Sequence, residues 1–233
     1  CSRGGYGLQR IIDKVVLPQR PKDQWPMLVG FSDITALHSL LSLHGVASLH
    51  ANMCKDLSLL PDEDIALSAE REFFMADTIP SPLSFTSHLL PLTYHPSPHH
   101  ANVPYTIHHT SSSPLNRGGE VVGKLIGGNL SVLYGLQGTP YSLNKIIEQC
   151  EQPPILFIED ISENHYHIDR MLNSFRMSAV FDSIGGLVVG QFTDCADDPS
   201  MGCSLLESIR QVVDDYSFPI LFDYPSGHID SNY

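Results

Sequence analysis

Short apolar runs alternate with amphipathic stretches along most of this chain. The apolar runs, which glycine, proline or polar residues flank, are Met27–Val29, Val46–His50, Pro154–Asp160, Gly185–Phe192 and Phe218–Phe222. Continuous runs of this kind are typical of strands buried in a parallel sheet. The amphipathic stretches have the apolar spacing of helices and cover residues 8–16, 34–43, 61–74, 130–136, 166–178 and 205–213. Strands that alternate with helices predict an α/β fold with β-α-β units and parallel strand pairs.

One window, residues 77–116, interrupts this alternation. It holds a single charged residue, seven of the chain's 17 prolines and six of its 12 histidines. Two strand candidates within it, Leu89–Tyr94 and Tyr105–His109, are separated by proline and serine clusters. We therefore interpret the window as a long connection between an amino-terminal lobe, residues 1–76, and a carboxyl-terminal lobe, residues 117–233.

The same window contains two histidine pairs, His99-His100 and His108-His109. Imidazole is a common ligand of transition metals, so a histidine-rich metal binder is one hypothesis for this protein. The pairs have no carboxylate or cysteine partner near them in the sequence, and we assign no metal site to them.

Charge and cysteine content narrow the classes of partner. The chain has a net charge of -13 at pH 7 and no basic stripe that could neutralise phosphates, so neither nucleic acid nor an anionic membrane is expected as a partner. The sequence has no apolar run long enough to span a membrane. Its five cysteines are scattered and form no C-x-x-C pair, which favours reduced thiols and a cytoplasmic location. The chain starts at Cys1 rather than at a methionine, and we expect it to be cut from a longer protein at both ends.

Candidate chemistry begins where the first apolar run ends. Ser32 follows Gly30 directly before a helical pattern, and a serine on such a strand-to-helix turn can be a nucleophile. Ser32 or Asp33 could equally cap the helix. A glycine-rich turn, Arg3–Gly7, offers backbone N–H groups to an anion or an oxyanion, although a tight turn alone would explain its glycines.

Two further residues complete a possible constellation at strand ends. Glu159 ends the clearest buried strand, and His228 lies in a glycine turn after the last one. Ligands bind at the carboxyl ends of strands in open α/β sheets, and the chain order Ser32, Glu159, His228 is that of α/β-hydrolases. Ile34 replaces the second glycine of the G-x-S-x-G elbow, so the residues alone predict a serine hydrolase without naming its substrate.

Several motifs together carry a resemblance to a known family. They occur in the family's order and are Arg3–Gly7, Gly30–His38, Gly127–Leu130, Gly138–Pro140, Ile158–Asp160 with Asp169-Arg170, and Gly227-His228. The chain resembles the LD-carboxypeptidase family of serine peptidases, which includes murein tetrapeptide carboxypeptidase and microcin C immunity hydrolases. The similarity extends from Arg3 to the end of the chain, apart from the window of residues 77–116.

The resemblance implies a fold and a set of roles. It implies an amino-terminal parallel α/β lobe with the nucleophile and a carboxyl-terminal mixed-sheet lobe with the acid and the base. Ser32 would be the nucleophile, Glu159 the triad acid and His228 the base. The backbone N–H groups of Asp33 and Gly5 would form the oxyanion hole. Neither a cofactor nor a metal is implied.

The implied function is hydrolysis of the amide between an L-centre and a terminal D-amino acid, as in release of D-alanine from murein tetrapeptide. The expected partners are a murein peptide or related peptide conjugate, and a second copy of the chain in a homodimer. Alternatives are a peptide-nucleotide amide hydrolase of the microcin type and a truncated, non-catalytic member. Two departures from the family keep these open: Ala51-Asn52 stands where members carry Gly-Pro, and an upstream strand and helix are missing.

Overall fold

The computed structural model describes residues 1–62, 64–75, 83–84, 92–94, 105–107, 113–229 and 232. The strands in these ranges are β1 Val29–Gly30, β2 Leu49–His50, β3 Leu83–Ser84, β4 Leu92–Tyr94, β5 Tyr105–Ile107, β6 Val122–Gly123, β7 Leu125–Asn129, β8 Ile155–Ile161, β9 Gly186–Thr193 and β10 Ile220–Leu221. The α-helices are α1 Thr35–Leu43, α2 Cys54–Leu57, α3 Ile65–Met75, α4 Leu130–Gly135, α5 Leu143–Ile147, α6 His165–Met177 and α7 Leu205–Val212. The predicted α/β class is confirmed.

The carboxyl-terminal half is built on a four-stranded sheet in the order β10-β9-β8-β7. All three strand pairs are parallel. The mixed character that the family resemblance implies comes from an antiparallel bridge between Arg117 and Ile220 at the edge of β10 and from the antiparallel pairing of β6 with β5. The carboxyl ends of these strands therefore face one side of the domain, as a site built from strand ends requires.

The main apolar core fills the space between this sheet and helices α4, α6 and α7. Phe175, Phe181 and Phe222 are the largest wholly buried side chains in it. Strand β8 alternates between this core and a smaller cluster on the other face, where Ile155 and Phe157 are buried. Burial on both faces explains why the sequence of β8 is a continuous apolar run until its polar end.

The amino-terminal part forms a β-α-β unit, as the sequence predicts. Strands β1 and β2 pair in parallel, with Gly30 opposite His50, and α1 connects them. Helix α1 also packs against β7, where a side chain on Gly128 would lie 2.6 Å from Thr35 Oγ1. The Asn129 N–H donates to the same hydroxyl at 3.0 Å. This close contact brings the end of β1 beside the carboxyl edge of the larger sheet.

The window of residues 77–116 contributes to a third sheet. Strands β3, β4, β5 and β6 pair antiparallel in that order. The strand candidates of the sequence overlap β4 and β5. The two histidine pairs lie outside the described residues. The division into lobes at residues 76 and 117 stays a prediction.

The helix predicted over residues 8–16 is wrong. The chain forms two 3₁₀ turns instead, Leu8–Arg10 and Ile12–Lys14, because Ile11 between them adopts φ -132°, outside the helical region. Tertiary bonds set this path: the Gln9 side chain donates to the Val132 carbonyl at 2.8 Å. Contacts of this kind override a helical pattern that would bury only one face.

Among the helices of the described residues, none has the length and apolar content needed to cross a membrane.

Candidate active site

Ser32 lies on a strained turn between β1 and α1. Its φ is +63°, in the left-handed region that costs a non-glycine residue about 1–2 kcal/mol. The residue starts a 3₁₀ turn, Ser32–Ile34, that continues into α1. Strain of this kind is typical of a nucleophile elbow, which forms here although Ile34 replaces the second glycine.

The amino-terminal glycine turn lies directly against this elbow. A Cβ on Gly4 would be 2.9 Å from Ser32 Cβ and 3.2 Å from its Oγ, so the turn needs glycine for close approach. The Asp33 carboxylate is buried and accepts a hydrogen bond from the Leu8 N–H at 3.0 Å. Its side chain thus anchors the turn to the elbow.

Two backbone N–H groups were predicted as oxyanion donors. The Asp33 N–H belongs to the first turn of a helical segment, where no preceding carbonyl is available to it. Gly5 follows the close-approach residue Gly4 and has φ +139°. Both roles stay predictions. Gly4 was missed as the contact residue because sequence spacing does not distinguish neighbouring glycines of one turn.

Glu159 is the buried acid of the site. It lies on β8 opposite Asn129 of β7, and its side chain is wholly buried. Its Oε2 accepts a hydrogen bond from His228 Nδ1 at 2.8 Å. Because a carboxylate only accepts, this bond assigns the proton to Nδ1 and leaves Nε2 of His228 as the basic nitrogen.

The loop that carries His228 is fixed around Glu159. A Cβ on Gly227, which has φ +142°, would lie 3.2 Å from Glu159 Cβ and 3.3 Å from its Oε2. The Asn232 Oδ1 accepts from the Gly227 N–H and from the Ser226 hydroxyl, each at 2.8 Å. A larger residue at position 227 would therefore displace the histidine from the acid.

Phe31, the residue before Ser32, connects the elbow to the Glu159–His228 pair. The Phe31 ring packs edge-on against His228, with centroids 4.9 Å apart. Within the described part of the chain the Ser32 hydroxyl makes no hydrogen bond, so the structure joins Glu159 and His228 directly and brings the residue before Ser32 into contact with them. Catalytic hydrogen bonds are often long without a substrate.

Opposing effects act on the pKa of Glu159. Burial raises it, and the hydrogen bond from His228 together with the nearby imidazole of His50 lowers it, with a lowered pKa as the result. His50 is the residue that sequence reasoning left without a role: its Nε2 lies 3.8 Å from Glu159 Oε1. Its place at the end of β2, next to β1 in a parallel pair, is the signal that could have included it.

Asp160, the next residue on β8, has a structural role. Its carboxylate accepts from Asn129 Nδ2 at 2.9 Å and from the Ser131 hydroxyl at 2.7 Å, so it holds the start of α4. Asn129 also caps α4 by accepting from the Val132 N–H. Burial raises the pKa of Asp160.

Two family models match the chain. The LD-carboxypeptidase N-terminal domain matches residues 1–51, and the LD-carboxypeptidase C-terminal domain matches residues 122–233. The chain belongs to the LD-carboxypeptidase family. The two matches include the elbow in the first domain and the acid and histidine in the second.

Individual members of the LD-carboxypeptidase family are similar over nearly the whole chain. A probable murein peptide carboxypeptidase of Bacillus subtilis is 31% identical over 98% of this chain and 62% of its own length. The crystal structure of muramoyltetrapeptide carboxypeptidase from Oxalobacter formigenes superposes with a TM-score of 0.70 at 23% identity, over 99% of this chain and 69% of that chain. The microcin C7 self-immunity protein MccF of Escherichia coli is 29% identical over 47% of this chain and 30% of its own length.

The chain therefore spans 62% of the length of the Bacillus relative. A structure of MccF in complex with aspartyl sulfamoyl adenosine superposes with a TM-score of 0.61 at 18% identity, over 96% of this chain and 65% of that chain. These likenesses support the fold of an LD-carboxypeptidase with its predicted two-lobed arrangement.

Proposed function

We propose that this protein is a serine carboxypeptidase that hydrolyses the amide between an L-centre and a terminal D-amino acid, as in murein tetrapeptide. The observation that carries the proposal is the 2.8 Å bond between His228 Nδ1 and the buried Glu159, with Phe31, which precedes Ser32 on the strained elbow, packed against the His228 ring. The murein peptide carboxypeptidases among its relatives support the substrate class.

In this proposal His228 Nε2 takes the proton of the Ser32 hydroxyl as Oγ attacks the amide carbonyl carbon. Glu159 holds the imidazole in the Nδ1–H tautomer and stabilises the imidazolium that forms. His228 then returns the proton to the leaving nitrogen, the C–N bond breaks, and the D-amino acid departs. The peptide remains bound to Ser32 as an ester.

Deacylation repeats these steps with water. His228 accepts a proton from the water as its oxygen attacks the ester carbonyl, and then protonates Ser32 Oγ as the ester bond breaks. The oxyanion of each tetrahedral intermediate would accept from the Asp33 and Gly5 N–H groups. Each such donor contributes about 3 kcal/mol to the barrier reduction.

The decisive test is Ser32→Ala, assayed by release of D-alanine from murein tetrapeptide. We expect turnover to fall by at least about 1,000-fold, because the covalent route is lost. Ser183→Ala, at an exposed serine in the turn that precedes the amino end of β9, is the matched control and should retain full activity. Wild-type turnover in the folded Ser32→Ala protein would refute the proposal.

A fluorophosphonate label distinguishes this hypothesis from a non-catalytic family member. The label should modify Ser32 in the wild type and not in Glu159→Gln, since attack requires an activated hydroxyl. An unlabelled Ser32 in soluble, folded protein would support the non-catalytic alternative instead.

A second candidate is hydrolysis of a peptide-nucleotide conjugate, which the likeness to MccF favours. The chemistry at Ser32 would be the same, and only the group beyond the scissile amide would differ. Assaying murein tetrapeptide and an aminoacyl sulfamoyl nucleoside side by side, each at the same concentration, would assign the substrate by the larger kcat/KM. The biological setting that we propose is cytoplasmic peptidoglycan recycling, with the chain acting as a homodimer.

A further inference from the structure

The triad acid has two oxygens, and only one of them is used by His228. Glu159 Oε2 carries the bond to His228, whereas Oε1 has no hydrogen-bond partner among the described residues. A buried carboxylate oxygen without a donor is costly, because water cannot replace the missing bond. The nearest polar atom recorded for Oε1 is His50 Nε2, at 3.8 Å.

His50 is held in this place by its strand and by aromatic neighbours. In the β1–β2 pair His50 lies opposite Gly30, and Gly30 is two residues before Ser32 in the chain. Its ring meets the Phe157 ring edge-on at 5.0 Å and lies 6.0 Å from the Phe31 ring. Both ring nitrogens are buried and have no hydrogen-bond partner in the described structure.

The other titratable groups around His50 do not compete for Glu159. His38 of α1 lies 6.1 Å from His50, ring to ring, but donates from Nε2 to the Gly30 carbonyl and accepts at Nδ1 from the Ser48 hydroxyl. Its burial lowers its pKa to about 4, so it is neutral beside His50 at pH 7. Asp160 is engaged by Asn129 and Ser131. Within the described ranges the recorded charged contact of His50 is with the Glu159 carboxylate.

We propose that His50 is a positioning residue of the triad, whose Nε2–H stabilises the unprotonated Glu159 through Oε1 and so keeps Oε2 available to His228. This inference rests on the proposed function. The 3.8 Å separation is that of a charge–dipole or ion-pair contact, which a small ring movement would shorten to a hydrogen bond. The effect has the same sign for the protonated imidazole and for the neutral ring in its Nε2–H tautomer, because both present an N–H to the oxygen.

The consequence is a lower proton affinity of the Glu159–His228 pair. Without the His50 donor the carboxylate becomes a stronger base, and the pair binds its proton at higher pH. Since His228 must be unprotonated to act as a base, the acid limb of the pH–rate profile should move to higher pH.

The test compares His50→Leu, His50→Asn and His50→Gln. His50→Leu removes the donor. His50→Asn keeps an amide N–H, but the side chain is too short for it to reach Glu159 Oε1, whereas the longer side chain of His50→Gln can reach that oxygen. In His50→Leu and His50→Asn we expect the acid limb of the kcat/KM profile to move to higher pH by about one unit. At a pH below this limb, kcat/KM should then be about tenfold lower than in the wild type. In His50→Gln we expect the acid limb to move by less than half of that shift. His44→Leu, the same change at an exposed histidine, should leave the profile unchanged.

A second measurement does not depend on activity. The pH titration of the His228 ring resonances is followed by NMR without substrate. Its midpoint should move to higher pH in His50→Leu and His50→Asn, and by a smaller amount in His50→Gln. An unchanged His228 midpoint in folded His50→Asn and His50→Gln would overturn the positioning role, even if Leu does not fold. Absence of peptide hydrolysis in the wild type would refute the proposed function and leave the NMR result as the test of His50.

Discussion

Two buried glutamates, Glu159 and Glu70, belong to different parts of the molecule, and their pKa values are shifted in opposite directions. Glu159 lies near the carboxyl end of β8 in the large parallel sheet, whereas Glu70 lies on α3, in the amino-terminal part. Both side chains are buried. Burial raises the pKa of Glu70 to about 7, but the pKa of Glu159 is lowered in spite of burial, because two imidazoles face it.

The partners of Glu70 explain the contrast. Its Oε1 accepts one hydrogen bond, from the Asn52 backbone N–H at 3.0 Å, and its Oε2 has no partner in the described structure. Asp56 and Asp64 add like charge that raises the pKa further. Burial therefore determines how costly a carboxylate charge is, and the donors around it determine whether the charge persists. Only the Glu159 environment is suited to hold an imidazolium at neutral pH.

The largest expected effect is that of Glu159→Gln on catalysis. An amide at this position can stabilise neither the Nδ1–H tautomer of His228 nor its imidazolium, so kcat should fall by about 10,000-fold. The measurement is D-alanine release from murein tetrapeptide, with the unfolding free energy as a check on folding. If Glu159→Gln retains more than a tenth of wild-type kcat, the difference between the two glutamates has no catalytic meaning.

The effect of Glu70→Gln should be on stability and should depend on pH. In the wild type the folded-state pKa of about 7 lies above the usual value for glutamate, so the stability that protonated Glu70 contributes is complete below about pH 4.3 and is lost as the pH rises through about 7. Above pH 7 we expect the variant to be more stable than the wild type by about 2–3 kcal/mol, because it has no charge to bury.

Urea denaturation at pH 5 and pH 8 measures this change directly. The difference between variant and wild type should be larger at pH 8 than at pH 5. Equal differences at the two pH values would mean that Glu70 is ionised in the folded protein at both, and the proposed contrast with Glu159 would be wrong.

The two glutamates also mark how far sequence reasoning extends. Glu159 was predictable, since it ends a continuous apolar run and strand ends meet at one edge of a parallel sheet. Ser32 and His228 were predictable for the same reason, with the family motifs adding their roles. The helix over residues 8–16 was predicted wrongly, because its path is set by contacts with Asp33 and Val132 that are distant in sequence.

The features that sequence could not supply are contacts between side chains from different elements. The approach of His50 to Glu159 depends on how α1 packs on β7, which brings two sheets together. The burial of Glu70 against the Asn52 backbone depends on where α3 returns to the strand end after β2. Periodicity gives the face of a helix but not the partner that this face meets.

The smallest expected effect is that of Glu148→Gln, which isolates burial as the cause of the contrast. Glu148 is a third glutamate with a charged partner, Lys145, at 2.8 Å, but more than half of each side chain is exposed. Water solvates both charges, so the pair should contribute less than about 0.5 kcal/mol and the change should hardly depend on pH.

The same urea measurements at pH 5 and pH 8 apply. A pH-dependent change in stability as large as that of Glu70→Gln would show that net charge, rather than burial, controls stability in this acidic chain. A response that does not change with pH would leave desolvation and the local hydrogen-bond donors as the properties that separate Glu159, the proposed triad acid, from the other two glutamates.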